Sequence, residues 1–336
     1  MVEIDGSAGG GQILRTSLTL SMLSGEAVTV TDVRGDRSDP GLKAQHLAAV
    51  EAATAVSDAE VEGAELGAEM VVFDPGEATG GEYEVSIATA GSLALVFDTI
   101  WPVATTIDEP LVLSGTGGTD VTWSPPSAYY RRVKLSLLRD LGLAATVDVE
   151  RPGFYPVGGG RATLRLWPSS LAPVRLDGGS PDDARVYSLA SDEVADADVG
   201  DRQATTAESA LDALGIEPVS REVTYAATDC PGSALVVGVT GDGVRAGFDA
   251  FGERATPAED VARQAVSEVG SFRDSGAGVD VHLADQLLVV LALAGGRVTV
   301  PRVSDHVETN LAVFDAFGYD LSVESGTPMV LQARDG

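Results

Sequence analysis

A single cysteine, Cys230, stands in 336 residues, so the chain cannot close a disulfide within itself. With no Cys-x-x-Cys and no His-Glu-x-x-His, the usual structural and protease-type zinc sites are excluded. Lysine occurs twice, at Lys43 and Lys134, and neither lies in a Lys-x-Asp-Gly setting, which makes lysine a poor candidate for a covalent nucleophile. No Gly-Lys dipeptide is present, hence no P-loop, and no Gly-x-Ser-x-Gly elbow. Nowhere does an apolar run reach the 18 or so residues of a membrane span. The opening Met-Val-Glu-Ile-Asp has neither the basic nor the apolar region of a secretory signal, so a cytoplasmic location is the default expectation. Only three histidines occur: His46, His282 and His306.

What is abundant is negative charge. The net charge is −29, with acidic residues spread over every segment. That pattern suits a protein kept soluble in concentrated salt, where the Debye length falls to about 3 Å and surface repulsion costs little. The sequence therefore predicts a halophilic host. It also weakens the rule that an acidic protein avoids nucleic acid, so local cations carry more information than the sum.

Hydrophobic residues make up 44% of the chain, enough for a sizeable core. Their periodicity repeats. A first unit has a helix over Gln12–Leu23, a strand over Val28–Val33 and a second helix opened by Pro40-Gly41 and running to about Val56. A second has a helix over Leu93–Val103, a strand at Leu111–Leu113, a loop Gly115–Asp120 and a helix over Pro125–Leu141. A third has a helix over Leu283–Ala294, a strand over Arg297–Val300 and a helix from about His306 to Phe317. Glycine stops and proline starts punctuate each. Similar units that each bury one sheet face should pack about a shared axis as an α/β protein with mixed sheets. Between the second and third units, residues 182–275 read as an inserted small domain, leaving 1–181 and 276–336 as the main body.

Two glycine clusters stand out. Gly9-Gly10-Gly11 opens the first helix, where free N–H groups and the positive dipole end make an anion site. Gly153–Arg161 offers another tight turn beside a cation. Either cluster alone is an ordinary turn; the pair within a repeat points to phosphate. Arg15, Arg37, Arg131, Arg132, Arg151 and Arg161 sit at loops or helix starts, where a guanidinium forks onto phosphate or simply salt-bridges in an acidic shell. Arg131 and Arg132 follow Tyr129 and Tyr130, an arrangement that stacks on a base or packs on a sheet. Each histidine lies near a helix start or glycine-rich loop, where a neutral imidazole can attack phosphorus.

Taken in order, these stretches resemble the RNA 3′-terminal phosphate cyclases. The matching residues are Asp5-Gly-Ser7 and Gly9–Arg15; Arg37 with Pro40–His46; Gly91-Ser92 with Leu95-Val96; and Gly117–Asp120 with Pro125-Pro126. They continue through Gly153–Gly160, Leu283–Gln286 with Ala292–Gly295, and His306 with Thr309-Asn310. The resemblance implies three βαβαββ-type units with an inserted thioredoxin-like domain. It also implies ATP-dependent conversion of an RNA 3′-phosphate to a 2′,3′-cyclic phosphate, with Mg or Mn assisting. It places the nucleophile at His306, phosphate and RNA contacts at Arg15, Arg37, Gln45, His46 and Arg131, and the nucleotide at His282, Leu283, Ala284, Asp285 and Gln286. Asp98 stands where the family usually has an ATP-contacting glutamine. Ser7-Ala8 replaces a Gly-Glu pair whose glutamate is the family's metal contact, so the metal ligands here are unknown. Non-catalytic members of the fold, enolpyruvyl transferases and a plain RNA-binding module are the competing readings. The transferases use site lysines that this chain nearly lacks.

Overall fold

The computed structural model describes residues 1–333 and is a mixed α/β protein with four four-stranded sheets. The first sheet is built by β1 (Val2–Asp5), α1 (Gly11–Ser24), β2 (Val28–Thr31), α2 (Ala44–Ser57), β3 (Glu60–Glu62) and β4 (Val71–Asp74). The second is built by β5 (Gly81–Ser86), α3 (Leu93–Ile100), β6 (Leu111–Gly117), α4 (Ser127–Tyr129), α5 (Leu135–Asp140), β7 (Ala145–Arg151) and β8 (Gly160–Leu166). Then comes β9 (Val174–Leu176). A separate sheet follows, from β10 (Asp183–Ser191), α6 (Val199–Leu214), β11 (Glu217–Ala226), β12 (Ser233–Gly241) and β13 (Val244–Gly252), closed by α7 (Ala258–Ser275). Last come α8 (Val281–Gln286), α9 (Leu288–Ala294), β14 (Gly296–Val300), α10 (Asp305–Ala316), β15 (Leu321–Glu324) and β16 (Met329–Ala333).

Three of the sheets share one order, β1-β2-β4-β3, β5-β6-β8-β7 and β9-β14-β16-β15. In each, the first two strands run parallel and the remaining pairs antiparallel. A parallel neighbour needs a crossover, and a helix supplies it in every case. The alternation Val28-Thr-Val-Thr buries both valines of β2, and β6 alternates over its whole length. Helices α1, α3 and α9 contribute Leu14, Leu18, Phe97, Ile100 and Leu291 to a common core.

The fourth sheet has the order β11-β10-β12-β13 and its own hydrophobic cluster. On α7, Val261, Ala262, Ala265, Val266, Val269 and Phe272 recur at helical spacing and cover one sheet face with Ala246, Phe248 and Ala250 of β13. The other face meets the body at two glycines. A Cβ on Gly247 would lie 2.6 Å from the Tyr129 ring and 2.8 Å from Val133, and one on Gly238 would lie 3.4 Å from Val133.

Several expected boundaries move. Each body sheet begins with a strand, β1, β5 or β9, ahead of the predicted first helix. These strands are short, which leaves little alternation to read. The Gly115–Asp120 segment is not wholly loop: Gly115–Gly117 finish β6, because a Cβ on Gly115 would come within 2.5 Å of Leu93. The Pro125–Leu141 helix contains a π-turn at Tyr130–Lys134, and the Leu283–Ala294 helix breaks at Leu287 into α8 and α9.

Candidate active site

Helix α1 starts at the glycine loop, and its neighbours explain the glycines. A Cβ on Gly11 would collide with the His46 imidazole and lie 2.8 Å from the Arg15 guanidinium; one on Gly10 would lie 3.5 Å from Arg37. His46, at the start of α2, accepts the Lys43 backbone N–H at Nδ1 (3.1 Å), so its Nε2 carries the proton and turns to the loop. Burial, then Arg15, Arg34 and Lys43, pull its pKa from 6.5 down to about 3. It is thus a neutral donor at physiological pH. The Gln45 side-chain oxygen accepts the Ser92 N–H (2.8 Å), tying α2 to the amino end of α3.

Beside this loop lies a cavity of about 680 Å³ between α1, α3, α8, α10 and the end of β13. Arg15 lines it, with no hydrogen-bonded or ion-paired carboxylate among the described residues. Burial lowers its pKa, while the charges of Asp98 and Asp285 oppose that shift. His306, half exposed in the first turn of α10, has Nδ1 3.8 Å from Asp285 Oδ2. Asp285 accepts from Asn310 Nδ2 (2.8 Å), and Asn310 Oδ1 accepts from the Thr16 hydroxyl (3.0 Å), so α1, α8 and α10 are laced together. Burial raises the Asp285 pKa, against the pull of His306, Asn310, Arg15 and Lys134. The buried Oε1 of Gln286, also in the cavity wall, has no hydrogen-bond partner among the described residues. An unsatisfied buried acceptor costs about 1–3 kcal/mol, which a ligand donor would recover.

Of the residues that the resemblance singled out, His306, Asp98, His282, Asp285, Gln286 and Arg15 line one cavity. Leu283 and Ala284 do not: both are fully buried, because this face of α8 packs into the core. Arg37 and His46 flank the glycine loop, with Arg15 linking it to the cavity, while Gln45 packs on Gly91 and Ser92; none of Arg37, Gln45 and His46 lines the cavity wall. Arg131 lies elsewhere, in a second cleft. The Gly153–Arg161 cluster lines neither; Gly153 and Gly160 allow the backbone of the β7–β8 connection to pack on itself and on Gly117. Tyr129 and Tyr130 are buried and unavailable for stacking.

Three features escaped the sequence. Lys134, fully buried, donates to Asp98 Oδ1 at 2.5 Å and lies 5.2 Å from the Tyr130 ring centroid, so the Asp98 carboxylate is already engaged. Asp249 of β13 lines the cavity, its pKa pushed up to about 7 chiefly by burial. Trp123, 91% exposed at the cavity rim, holds φ at +63°. A bulky residue with positive φ is an outlier that needs support from its surroundings. Here the support is Asp120, which accepts from Thr119 Oγ1 and from the N–H and hydroxyl of Ser127, fixing both ends of the Trp123 loop. A lone surface tryptophan in a Gly/Pro-rich stretch gave no warning of this.

The family model for RNA 3′-terminal phosphate cyclase matches residues 7–320. An RNA 3′-terminal phosphate cyclase of Halobacterium salinarum is 43% identical, over 96% of this chain and 97% of its own length. Those of Pyrococcus furiosus and Ectopseudomonas mendocina are 38% and 37% identical, each over 94% of this chain and over 93% and 92% of their own. A solved enolpyruvyl transferase, NikO of Streptomyces tendae, overlaps 48% of the chain at 14% identity and a TM-score of 0.29, too slight a likeness to argue from. The chain belongs to the RNA 3′-terminal phosphate cyclase family.

Proposed function

We propose that the protein is an ATP-dependent RNA 3′-phosphate cyclase whose nucleophile is His306. The observation that carries this reading is that His306 shares one cavity with the unpaired Arg15 guanidinium and the orphaned Gln286 oxygen. Asp285 faces Nδ1 of His306, which leaves Nε2 as the attacking atom. Nε2 attacks the α-phosphorus of ATP and pyrophosphate leaves. The AMP passes to the RNA 3′-phosphate, the neighbouring 2′-OH attacks that phosphorus, and AMP departs as the cyclic ester closes. Arg15 neutralises charge that gathers on the phosphates, and the neutral His46 Nε2–H and the N–H groups of the glycine loop donate to them. The Gln286 oxygen is suited to accept from an amino or hydroxyl group of the nucleotide.

A divalent cation fits this chain less well than the nucleotide. Among the described residues no three His, Cys, Asp or Glu side chains converge as a metal site, and Ser7-Ala8 offers no carboxylate. We assign no step to a protein-held metal. The common order of three sheets supports three copies of one βαβαββ unit, and residues 182–275 are the insertion, for which we keep the thioredoxin-like reading.

The test is intact-protein mass spectrometry after incubation with ATP and Mg or Mn in high potassium chloride. One adenylyl group mapped to His306, and lost in His306→Ala, is the expected result. Undiminished labelling of that variant would refute the assignment. No adduct on a folded protein that still binds RNA ends would favour the non-catalytic relatives.

A further inference from the structure

The second cleft, of about 330 Å³, lies where α5 and the π-turn face β10, β12 and β13. Arg131, Arg132, Arg139, Arg185 and Arg245 line it, and no carboxylate does. In a chain of net charge −29 this is a marked concentration of positive charge. The acidic partners stand outside the lining: Arg132 meets Glu222 (3.0 Å), Arg185 meets Asp183 (3.2 Å) and Arg245 meets Asp140 (2.6 Å). Arg131 has no hydrogen-bond or ion-pair partner for its side chain among the described residues. The hydroxyls of Thr240 and Ser136 add neutral polar groups.

Five guanidiniums around one opening exceed what a single phosphate takes and suit a run of phosphates. Strand β13 connects the cleft to the main cavity. Arg245 lines the one and Asp249 the other, on the same side of the strand and about 13 Å apart at ~3.3 Å per residue. Tyr129 and Val133 pack on Gly247 between them, so a strand must pass around this waist rather than through it. Bidentate arginine contacts keep their value where salt screens longer-range attraction.

We propose that this cleft is a second, phosphate-binding subsite that holds the backbone of the RNA a few nucleotides upstream of the 3′ end being processed. The assignment rests on the cyclase reading of the main cavity. It gives the inserted segment, which supplies Arg185 and Arg245, a part in gripping the substrate.

The experiment compares the full-length protein with Arg185→Gln/Arg245→Gln and with Arg185→Lys/Arg245→Lys. Fluorescence anisotropy measures binding of an RNA of about twelve nucleotides and of a dinucleotide, both ending in a 3′-phosphate, across a potassium chloride series. ATP-dependent adenylylation and melting temperature are followed in parallel. The glutamine pair should weaken the longer RNA by about tenfold or more. It should also flatten its log–log salt slope by about 1.4, twice the ~0.7 released per phosphate contact on a single strand. Dinucleotide binding and adenylylation should stay as in the unaltered protein, and the lysine pair should keep most of the slope. Equal affinity of the glutamine pair for the longer RNA overturns the proposal, as does an equal loss for both RNAs. Loss of inorganic tripolyphosphate binding with RNA binding unchanged would assign the cleft to a free polyphosphate and also overturn it. If the unaltered protein binds neither RNA, the cyclase reading falls and this one with it; if it binds RNA but takes no label, the subsite is still decided by the length comparison.

Discussion

The Asp98–Lys134 pair can be tested by taking it apart. Lys134 is 1% exposed and its ammonium is 2.5 Å from Asp98 Oδ1, so neither charge has much water to fall back on. Burial already lowers the Lys134 pKa, with Asp98 as the largest opposing influence. Removing one partner of a buried pair leaves an uncompensated charge, at a cost of about 3–5 kcal/mol. At ~1.4 °C per kcal/mol for a chain of 336 residues, Asp98→Ala and Lys134→Met should each lower the melting temperature by roughly 4–7 °C. The double variant should lose less than the sum, because no buried charge is left behind. Thermal melts by circular dichroism between 1 and 3 M potassium chloride are the assay, and the coupling should persist across that range, since buried pairs are little screened. Single variants that each cost under about 1 kcal/mol and add up would refute the reasoning. A rise in KM for ATP in Asp98→Ala with unchanged stability would instead make Asp98 a direct nucleotide contact.

Two further outcomes follow from the site. His46 has a folded pKa of about 3, below its unfolded 6.5, so the unfolded chain binds the extra proton between those values. Its contribution to stability is complete above pH 6.5 and falls with decreasing pH by up to about 1.4 kcal/mol per unit. Chemical denaturation at pH 7 and pH 5 should show His46→Asn losing about 2 kcal/mol less than the unaltered protein, and parallel losses would contradict the buried neutral imidazole. At the cavity rim, Trp123→Ala should weaken RNA-end binding by about 1–3 kcal/mol while Trp123→Phe largely retains it, and quenching of tryptophan emission by RNA should fall in both. Unchanged affinity in the alanine variant would remove Trp123 from the site.

What could be read from the chain followed physical strength of signal. Helices α1, α2 and α10 lie within a few residues of where apolar spacing and the flanking glycines and prolines put them. The strands β1, β5 and β9 give no periodic signal, because three to six residues, partly exposed, carry too little alternation. The three histidines share a local context of helix starts and glycine-rich loops, and only the folded chain separates His46, buried against Gly11, from His306, half exposed beside Asp285. The Asp98–Lys134 contact spans 36 positions, and nothing local to either residue announces it. The arginine cleft was hidden for the same reason, since Arg131, Arg185 and Arg245 come from three distant segments.

Asp280, the residue before α8, shows why the fourth sheet is not a detachable ornament. Its carboxylate takes the N–H groups of His282 and Leu283, the N–H of Gly247 on β13, and the hydroxyl of Tyr129. One buried anion thus closes a junction among the helix that carries Asp285 and Gln286, the fourth sheet, and the helix that presses on it. Excising residues 182–275 would withdraw the Gly247 donor, uncover Tyr129 and Val133 where Gly238 and Gly247 pack, and slacken the start of α8. Shortened versions of this protein should therefore lose the shape of the main cavity along with the fourth sheet, though the cut lies outside every strand of the other three sheets.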